Sequence, residues 1–219
     1  MAFTDTILSI SNLSISFGGL SVLQDVNMSL HDGQIKAIVG PNGAGKTTLF
    51  NLLTGIYRPD RGEILYLGQK IEGLPPHEIA RRKIFRTFQT IRLFEHMKVI
   101  ENVMVGMHIY RKVGLLTTML GLPALRNEES RFREEALALM ERLQLQGYAH
   151  ESAGNVPYGI QKRTEIARAL AGHPRLLLLD EPAGGLNRTE TESLLGFIRT
   201  IRDMGVTILL IEHDMQMVM

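Results

Sequence analysis

The chain has 219 residues, 44% of them apolar, which is enough to bury a substantial core as one α/β domain with an inserted lobe and too apolar for a disordered polypeptide. No apolar run reaches the ~18 residues that span a bilayer, and Met1 to Asp5 lacks a basic segment followed by an apolar one, so a soluble, unexported chain is expected. Zero cysteines exclude disulfides and thiolate metal sites and fit a reducing compartment, a net charge of +1 gives no footprint for nucleic acid, and the seven histidines lack ligand-like pairs.

In chain order, Leu13, Ile15 and Phe17 alternate with Ser14 and Ser16, and Val26, Met28 and Leu30 alternate again after Gly18-Gly19. The first thirty residues therefore predict half-exposed antiparallel strands. His31-Asp32-Gly33 is a turn into Ile35 to Val39, an apolar run short enough for a buried strand. Next comes Gly40-Pro41-Asn42-Gly43-Ala44-Gly45-Lys46-Thr47-Thr48, which matches the phosphate-binding loop G-x-x-x-x-G-K-[ST] at every fixed position. Its glycines let the backbone turn successive N–H groups toward phosphate oxygens, and a helix starting near Lys46 adds its positive end. Lys46 is expected on the β- and γ-phosphates of a nucleoside triphosphate and Thr47 on Mg²⁺, so any metal should arrive with the nucleotide. Leu49, Phe50, Leu52, Leu53 and Ile56 give the following helix its apolar face.

Arg58-Pro59-Asp60-Arg61-Gly62 is a turn before a strand at Ile64 to Leu67, and Pro75-Pro76 introduces a short helix through Ile79 and Ala80. From about 97 to 155 the pattern is helical, with Phe132, Ala136, Leu139, Met140 and Leu143 on one face and Glu134, Glu135 and Glu141 elsewhere. Val113 to Leu125 is apolar but interrupted by Gly114, Gly121 and Pro123, and predicts a loop between helices that could rest on a partner. After 160 the order is helix through Ile166 and Leu170, strand Leu176 to Asp180, helix around 189 to 203 and strand Val206 to Glu212. That order predicts parallel strands buried on both faces. There is no internal repeat and no low-complexity linker.

Leu176-Leu177-Leu178-Leu179-Asp180-Glu181 runs apolar and ends in two acids, as when a buried strand delivers carboxylates to the carboxyl edge of a sheet. Asp180 is the candidate for Mg²⁺, directly or through water, and Glu181 the candidate general base. The plain alternative is that both acids cap the helix beyond Pro182.

These residues resemble the ATP-binding cassette family. Phe85-Arg86-Thr87-Phe88-Gln89 looks like the strand ending in the family's Q-loop glutamine. Val156-Pro157-Tyr158-Gly159-Ile160-Gln161-Lys162-Arg163 with Glu165 to Leu170 looks like its signature and signature helix. Ala183-Gly184-Gly185-Leu186-Asn187 sits at the D-loop position, and Ile211-Glu212-His213-Asp214 carries the switch histidine. Six motifs in order cover nearly the whole chain. Phe17-Gly18-Gly19-Leu20, Arg92-Leu93-Phe94 after the Q-loop, and Met215 after the switch further resemble the ATPase subunits of branched-chain amino-acid importers.

The resemblance implies an α/β P-loop NTPase (RecA-like) core with an N-terminal antiparallel β subdomain and an inserted α-helical subdomain at about 97–160, all within a single nucleotide-binding domain over 1–219. It implies ATP and Mg²⁺ as ligands, with Gly40 to Thr48 on the phosphates, Phe17 on adenine, Thr47, Asp180 and Gln89 around the metal, and Glu181 and His213 holding the attacking water. It implies a homodimer or heterodimer with a second cassette ATPase, in which Gly159 approaches the partner's nucleotide. Permease subunits would hold the pair peripherally at the cytoplasmic face of the membrane, and no nucleic acid is implied. The plainer readings are a loop-capping Gln89, a satisfied His213 at a strand end and a core Phe17. Two departures stand out, Pro157 where a serine is usual and Ile160 where a glutamine is usual, and proline also lacks an N–H. Asn187, where many members carry Asp, matches the branched-chain group. The chain stops at Met219 within what reads as the start of a helix, so a shortened chain with an exposed sheet edge is the expectation. The rival readings are a weakly hydrolysing nucleotide switch and a soluble cassette ATPase acting outside transport.

Overall fold

The computed structural model describes residues 5–110 and 123–212, and the chain separates into two compact units. The first comprises Met1–Gln89, Arg175–Gly185 and Ile198–Met219. Its opening strands, β1 (Thr6–Phe17) and β2 (Leu20–His31), form an antiparallel hairpin closed by Gly18 and Gly19, both at positive φ. On β1 Ile7, Leu8 and Ile10 are buried, and the alternation of Leu8 and Ile10 shifts phase to Leu13 and Ile15. This change of parity comes from a bulge at Asn12, whose φ is 50° and whose N–H donates to the Asn27 side chain at 2.9 Å. Gly62 faces that bulge. A Cβ there would lie 2.5 Å from the Asn12 carbonyl oxygen, so the turn residue is fixed by close backbone approach. Strands β4 (Arg61–Tyr66) and β5 (Gln69–Lys70) complete the sheet in the order β2-β1-β4-β5.

The second sheet is parallel, in the order β3 (Ile35–Val39), β8 (Thr207–Glu212), β7 (Leu176–Asp180), β6 (Ile84–Arg86). Every residue of β7 and β8 is buried, as their apolar runs require. Leu176, Leu178, Leu209 and Ile211 pack with Phe50, Leu52 and Leu53 of α1 (Lys46–Leu53) into the core shared with the antiparallel sheet. Three expectations change. β3 is only half-buried, with Val39 39% exposed, because among the described residues it pairs on one side alone. β6 ends at Arg86, leaving Gln89 in the loop beyond it. Ile56 lies past the end of α1 and is exposed, so it does not join that helix's apolar face. The short helix α2 (Pro76–Arg81) begins at the Pro75-Pro76 pair as expected.

The second unit comprises Thr90–Pro174 and Leu186–Phe197. It is helical: α3 (Val99–Val105), a 3-10 turn Gly106–Tyr110, α4 (Pro123–Arg142), a 3-10 turn Gln146–Tyr148, α5 (Tyr158–Leu170) and the first part of α6 (Arg188–Asp203), whose remainder belongs to the first unit. Phe132, Ala136, Met140 and Leu143 are buried as the periodicity demands, and Leu139 is half-buried. Helix does not continue to 155. Gln144 takes φ 55°, Leu145 N–H bonds the Met140 carbonyl at 2.8 Å, and Gln144 N–H bonds that of Glu141 at 3.0 Å. This is a Schellman ending built without glycine. Pro123 opens α4, and the rest of the predicted apolar loop before it lies outside the described residues. Asn102, fully buried, accepts from Phe94 N–H and donates to the carbonyls of Phe94 and Lys98, tying the loop before α3 to the helix. Among the described residues no helix is long and apolar enough to cross a membrane.

In the first unit, Asp32 accepts from Arg175 and from Thr207, both at 2.9 Å. Burial pushes its carboxyl up, but these bonds and the Arg175 charge outweigh burial and leave it below the usual carboxylate range. Near this network Tyr66 is buried with its hydroxyl unpartnered, and burial, assisted by Asp32 and opposed by Arg175, pushes the phenol from 10.0 to about 12. Because the folded value lies above the unfolded one, this contribution to stability is complete below pH 10 and is lost as pH rises toward about 12. Tyr66→Phe should leave the urea midpoint at pH 8 unchanged or slightly raised, since no hydrogen bond is lost, and should flatten the alkaline decline. An unchanged decline above pH 10 in the variant would assign it to other groups.

Candidate functional site

The loop between β3 and α1 is shaped by two left-handed glycines, Gly43 and Gly45, each at φ 83°. A Cβ on Gly43 would meet nothing, whereas one on Gly45 would lie 2.6 Å from a Leu23 methyl and 3.0 Å from the Val22 carbonyl oxygen of β2. Gly45 therefore serves both the turn and the packing of the loop on the antiparallel sheet. Gly40 is half-buried, and Pro41, Asn42, Gly43 and Ala44 are exposed, with Ala44 N–H bonded to the Pro41 carbonyl at 3.2 Å. Gly45 precedes the first turn of α1 with no side-chain cap, and helix geometry leaves the first-turn N–H groups, Lys46 to Thr48, without intrahelical acceptors. Lys46 is buried and its ammonium donates to the carbonyls of Gly40 at 2.6 Å and Pro41 at 2.9 Å, so it is curled back over the loop. Thr47 is exposed at the helix start.

β7 delivers the two acids. Asp180, its last residue, is 4% exposed and forms a 2.6 Å ion pair with Arg86 from the end of β6. Arg86 also donates to the Asn51 side chain of α1 at 2.7 Å, which ties the helix after the phosphate loop to the carboxylate strand. Thr87 adds a hydroxyl 3.4 Å from Asp180 N–H. Glu181 follows at φ 47°, a conformation uncommon outside glycine, with its N–H on the Ile211 carbonyl at 3.1 Å. Gln89 donates to its carboxylate at 2.8 Å. Glu212, buried at the end of β8, accepts from Ala183 N–H at 3.1 Å and so holds the turn after Glu181. Arg86 and Glu212 have no role in the sequence reading beyond motif wording, and Asn51 has none; the signal for Glu212 was the one that marks Asp180, an acid ending an apolar strand. Phe17 is 42% exposed at the end of β1 and packs edge-on against Tyr57 at 5.1 Å. It is therefore not core.

The donor set fits magnesium triphosphate. Thr47 and Asp180 offer hard oxygens, as Mg²⁺ prefers, and among the described residues no group of three or more His, Cys, Asp or Glu side chains could hold a metal alone. Phosphate and water would have to supply the other ligands. His213 lies outside the described residues.

Gly159 belongs to the second unit. The signature helix α5 begins at Tyr158, with Pro157 at its N-cap in extended conformation and no side-chain capping bond. Pro157 lines a cavity of about 280 Å³ with Gly159, Ile160, Arg163 and Glu190. A Cβ on Gly159 would meet the Glu190 carboxylate at 3.6 Å, an ordinary van der Waals contact. Glu190 also accepts from Asn187 N–H at 2.9 Å while Asn187 accepts from Glu190 N–H at 3.0 Å, a capping box that starts α6.

A parallel sheet with a glycine loop, an acid-ended central strand and a separate helical unit is the arrangement of a cassette ATPase. The model of the ABC transporter family matches residues 23–184, and the chain belongs to that family. It is 46% identical to the high-affinity branched-chain amino acid transport ATP-binding protein BraF of Pseudomonas aeruginosa and 47% identical to LivG of Escherichia coli, in each case over 97% of this chain and 84% of the relative. An ATP-binding cassette of an ABC transporter, solved in its ADP conformation, superimposes with a TM-score of 0.85 at 32% identity, covering 98% of this chain and 84% of that one.

The two loop glycines make separable demands. Gly43→Ala should cost about 1–2 kcal/mol for its left-handed backbone. Gly45→Ala should cost about 1–3 kcal/mol more, because the added methyl overpacks against Leu23. Equal denaturant midpoints for the two variants would refute the packing half of this account.

Proposed function

We propose that this chain is the ATP-binding and ATP-hydrolysing subunit of an importer for branched-chain amino acids, held at the cytoplasmic face of the membrane by permease subunits and working as a dimer of cassettes. The observation that carries the chemistry is Glu181 held at 2.8 Å by Gln89, one residue beyond the buried Asp180. A base must be aimed before it is basic in the right place, and here the left-handed backbone and the glutamine amide fix it together. Lys46 leaves its loop carbonyls for the β- and γ-phosphates, joined by the N–H groups of the loop and of the start of α1. Thr47 and Asp180 hold Mg²⁺, which neutralises phosphate charge when bound. Glu181 takes the proton of the attacking water, His213 orients that water, Gln89 relays the state of the site to the helical unit, and Phe17 stacks on adenine. The identity to BraF and LivG supports the substrate class.

Across the dimer, Gly159 and the start of α5 offer backbone N–H groups to the partner's γ-phosphate. Pro157 at the N-cap supplies neither a hydroxyl nor a capping bond, and this favours a second reading in which the chain hydrolyses slowly and acts chiefly as a nucleotide switch.

Lys46→Ala should abolish binding of a fluorescent ATP analogue with Mg²⁺; unchanged affinity would move the site elsewhere. Glu181→Gln should keep that affinity and lower the rate of phosphate release by about 10²–10⁴-fold. Pro157→Ser should raise melting stability by about 1 kcal/mol through the restored cap, and kcat by roughly tenfold or less, with ATP affinity of the monomer unchanged. Equal kcat in samples shown to dimerise would acquit Pro157.

A further inference from the structure

Arg86 is placed more elaborately than a strand-end arginine requires. Its side chain is 6% exposed and that of Asp180 5%. The guanidinium lies 5.4 Å from the Phe50 ring centroid and 5.3 Å from that of Phe88, and its Nε is buried with no hydrogen-bond partner. One terminal nitrogen donates to Asn51 and the other to a single oxygen of Asp180. Leaving Nε unsatisfied and splitting the fork forgoes the bidentate geometry that makes arginine–carboxylate pairs strong. The side chain is therefore disposed to place a permanent positive charge beside Asp180 while engaging only one of its oxygens.

A carboxylate this deeply buried needs a cation, because an isolated charge is far more costly to bury than a paired one. We propose that Arg86 is the resident counter-ion of Asp180: it occupies and aims the carboxylate until a divalent cation arrives with the triphosphate, and thereby denies the site to free metal. Arg86 is a positioning residue in this account, acting through Asp180. A bare divalent cation approaching Asp180 meets a guanidinium already on the carboxylate. Only the added negative charge of the phosphates makes the site attractive to it. The inference rests on the assignment of Asp180 to the metal.

The test uses the full chain free of nucleotide. Arg86→Gln removes the charge, Arg86→Lys keeps it without the fork to Asn51, and Arg86→Gln combined with Asp180→Asn removes both partners. Binding of Mn²⁺ is followed by electron paramagnetic resonance, and melting is followed with and without Mn²⁺. Arg86→Gln should melt roughly 6 °C or more below the parent, bind Mn²⁺ at least about tenfold more tightly, and recover melting temperature when the ion is added. The parent and Arg86→Lys should bind free Mn²⁺ at least about tenfold more weakly than Arg86→Gln and show no melting shift with it, and the double variant should lose both the gain in binding and the recovery. Arg86→Gln that is soluble only with Mn²⁺ supports the proposal as well. Arg86→Gln that gains no Mn²⁺ affinity, stays insoluble with the ion, or recovers equally in the double variant overturns it, as does Mn²⁺ binding by Arg86→Lys as tight as that by Arg86→Gln. Binding of a fluorescent Mg-ATP analogue to the parent, measured alongside, separates the failures. With that binding intact, only the role of Arg86 falls; without it, the assignment of the site falls too.

Discussion

The β7–β8 ladder is the constraint on which the site depends. Two strands buried along their whole length each end in an acid, and their register pairs Asp180 with Ile211, just before the chain turns at Glu181. Each acid is then accommodated by a different device. Asp180 takes a cation from the neighbouring strand β6, Glu181 takes a left-handed backbone and the Gln89 amide, and Glu212 takes the N–H of Ala183. None of these acids would be tolerated mid-strand, where no such partner is within reach. The sheet edge is thus both the place where charge can be kept and the place where phosphate chemistry needs it.

The phosphate loop is coupled to that edge through α1. Asn51 meets the same guanidinium as Asp180, so the last turn of α1 and the end of β7 are linked through one side chain. Gly45 presses the loop onto β2 from the other side. A loop held at both flanks keeps its amides preorganised, which is where electrostatic catalysis gains most. The helical unit makes its own preparation: Pro157 and Gly159 leave the start of α5 uncapped by side chains, and Asn187 and Glu190 satisfy one another at the start of α6.

Much of this is written locally. The phosphate loop, the acid-ended strands and the hairpin announce themselves because a glycine pattern, an apolar run or an alternation carries each within ten residues. The bulge at Asn12 was not legible, since Leu8 and Ile10 alternate with serine before it, Leu13 and Ile15 do so after it, and only the phase differs. Nor was the end of α4, where Gln144 takes the left-handed conformation that a glycine would have signalled. Arg86 was quoted as part of a motif, yet its meeting with Asp180 joins residues 94 apart. Nothing near either residue encodes that pairing. Half-burial of β3 depends likewise on which strands flank it, a property of the sheet and not of Ile35 to Val39.

The most direct measurement is a crystal structure of the chain with Mn²⁺ and a non-hydrolysable ATP analogue, using the anomalous signal of the ion. The account predicts one manganese peak bridging the Thr47 hydroxyl and the Asp180 carboxylate, directly or through water, with the γ-phosphate between the Lys46 ammonium and Glu181. A nucleotide bound away from residues 40–48, or a metal that ignores both Thr47 and Asp180, would contradict it.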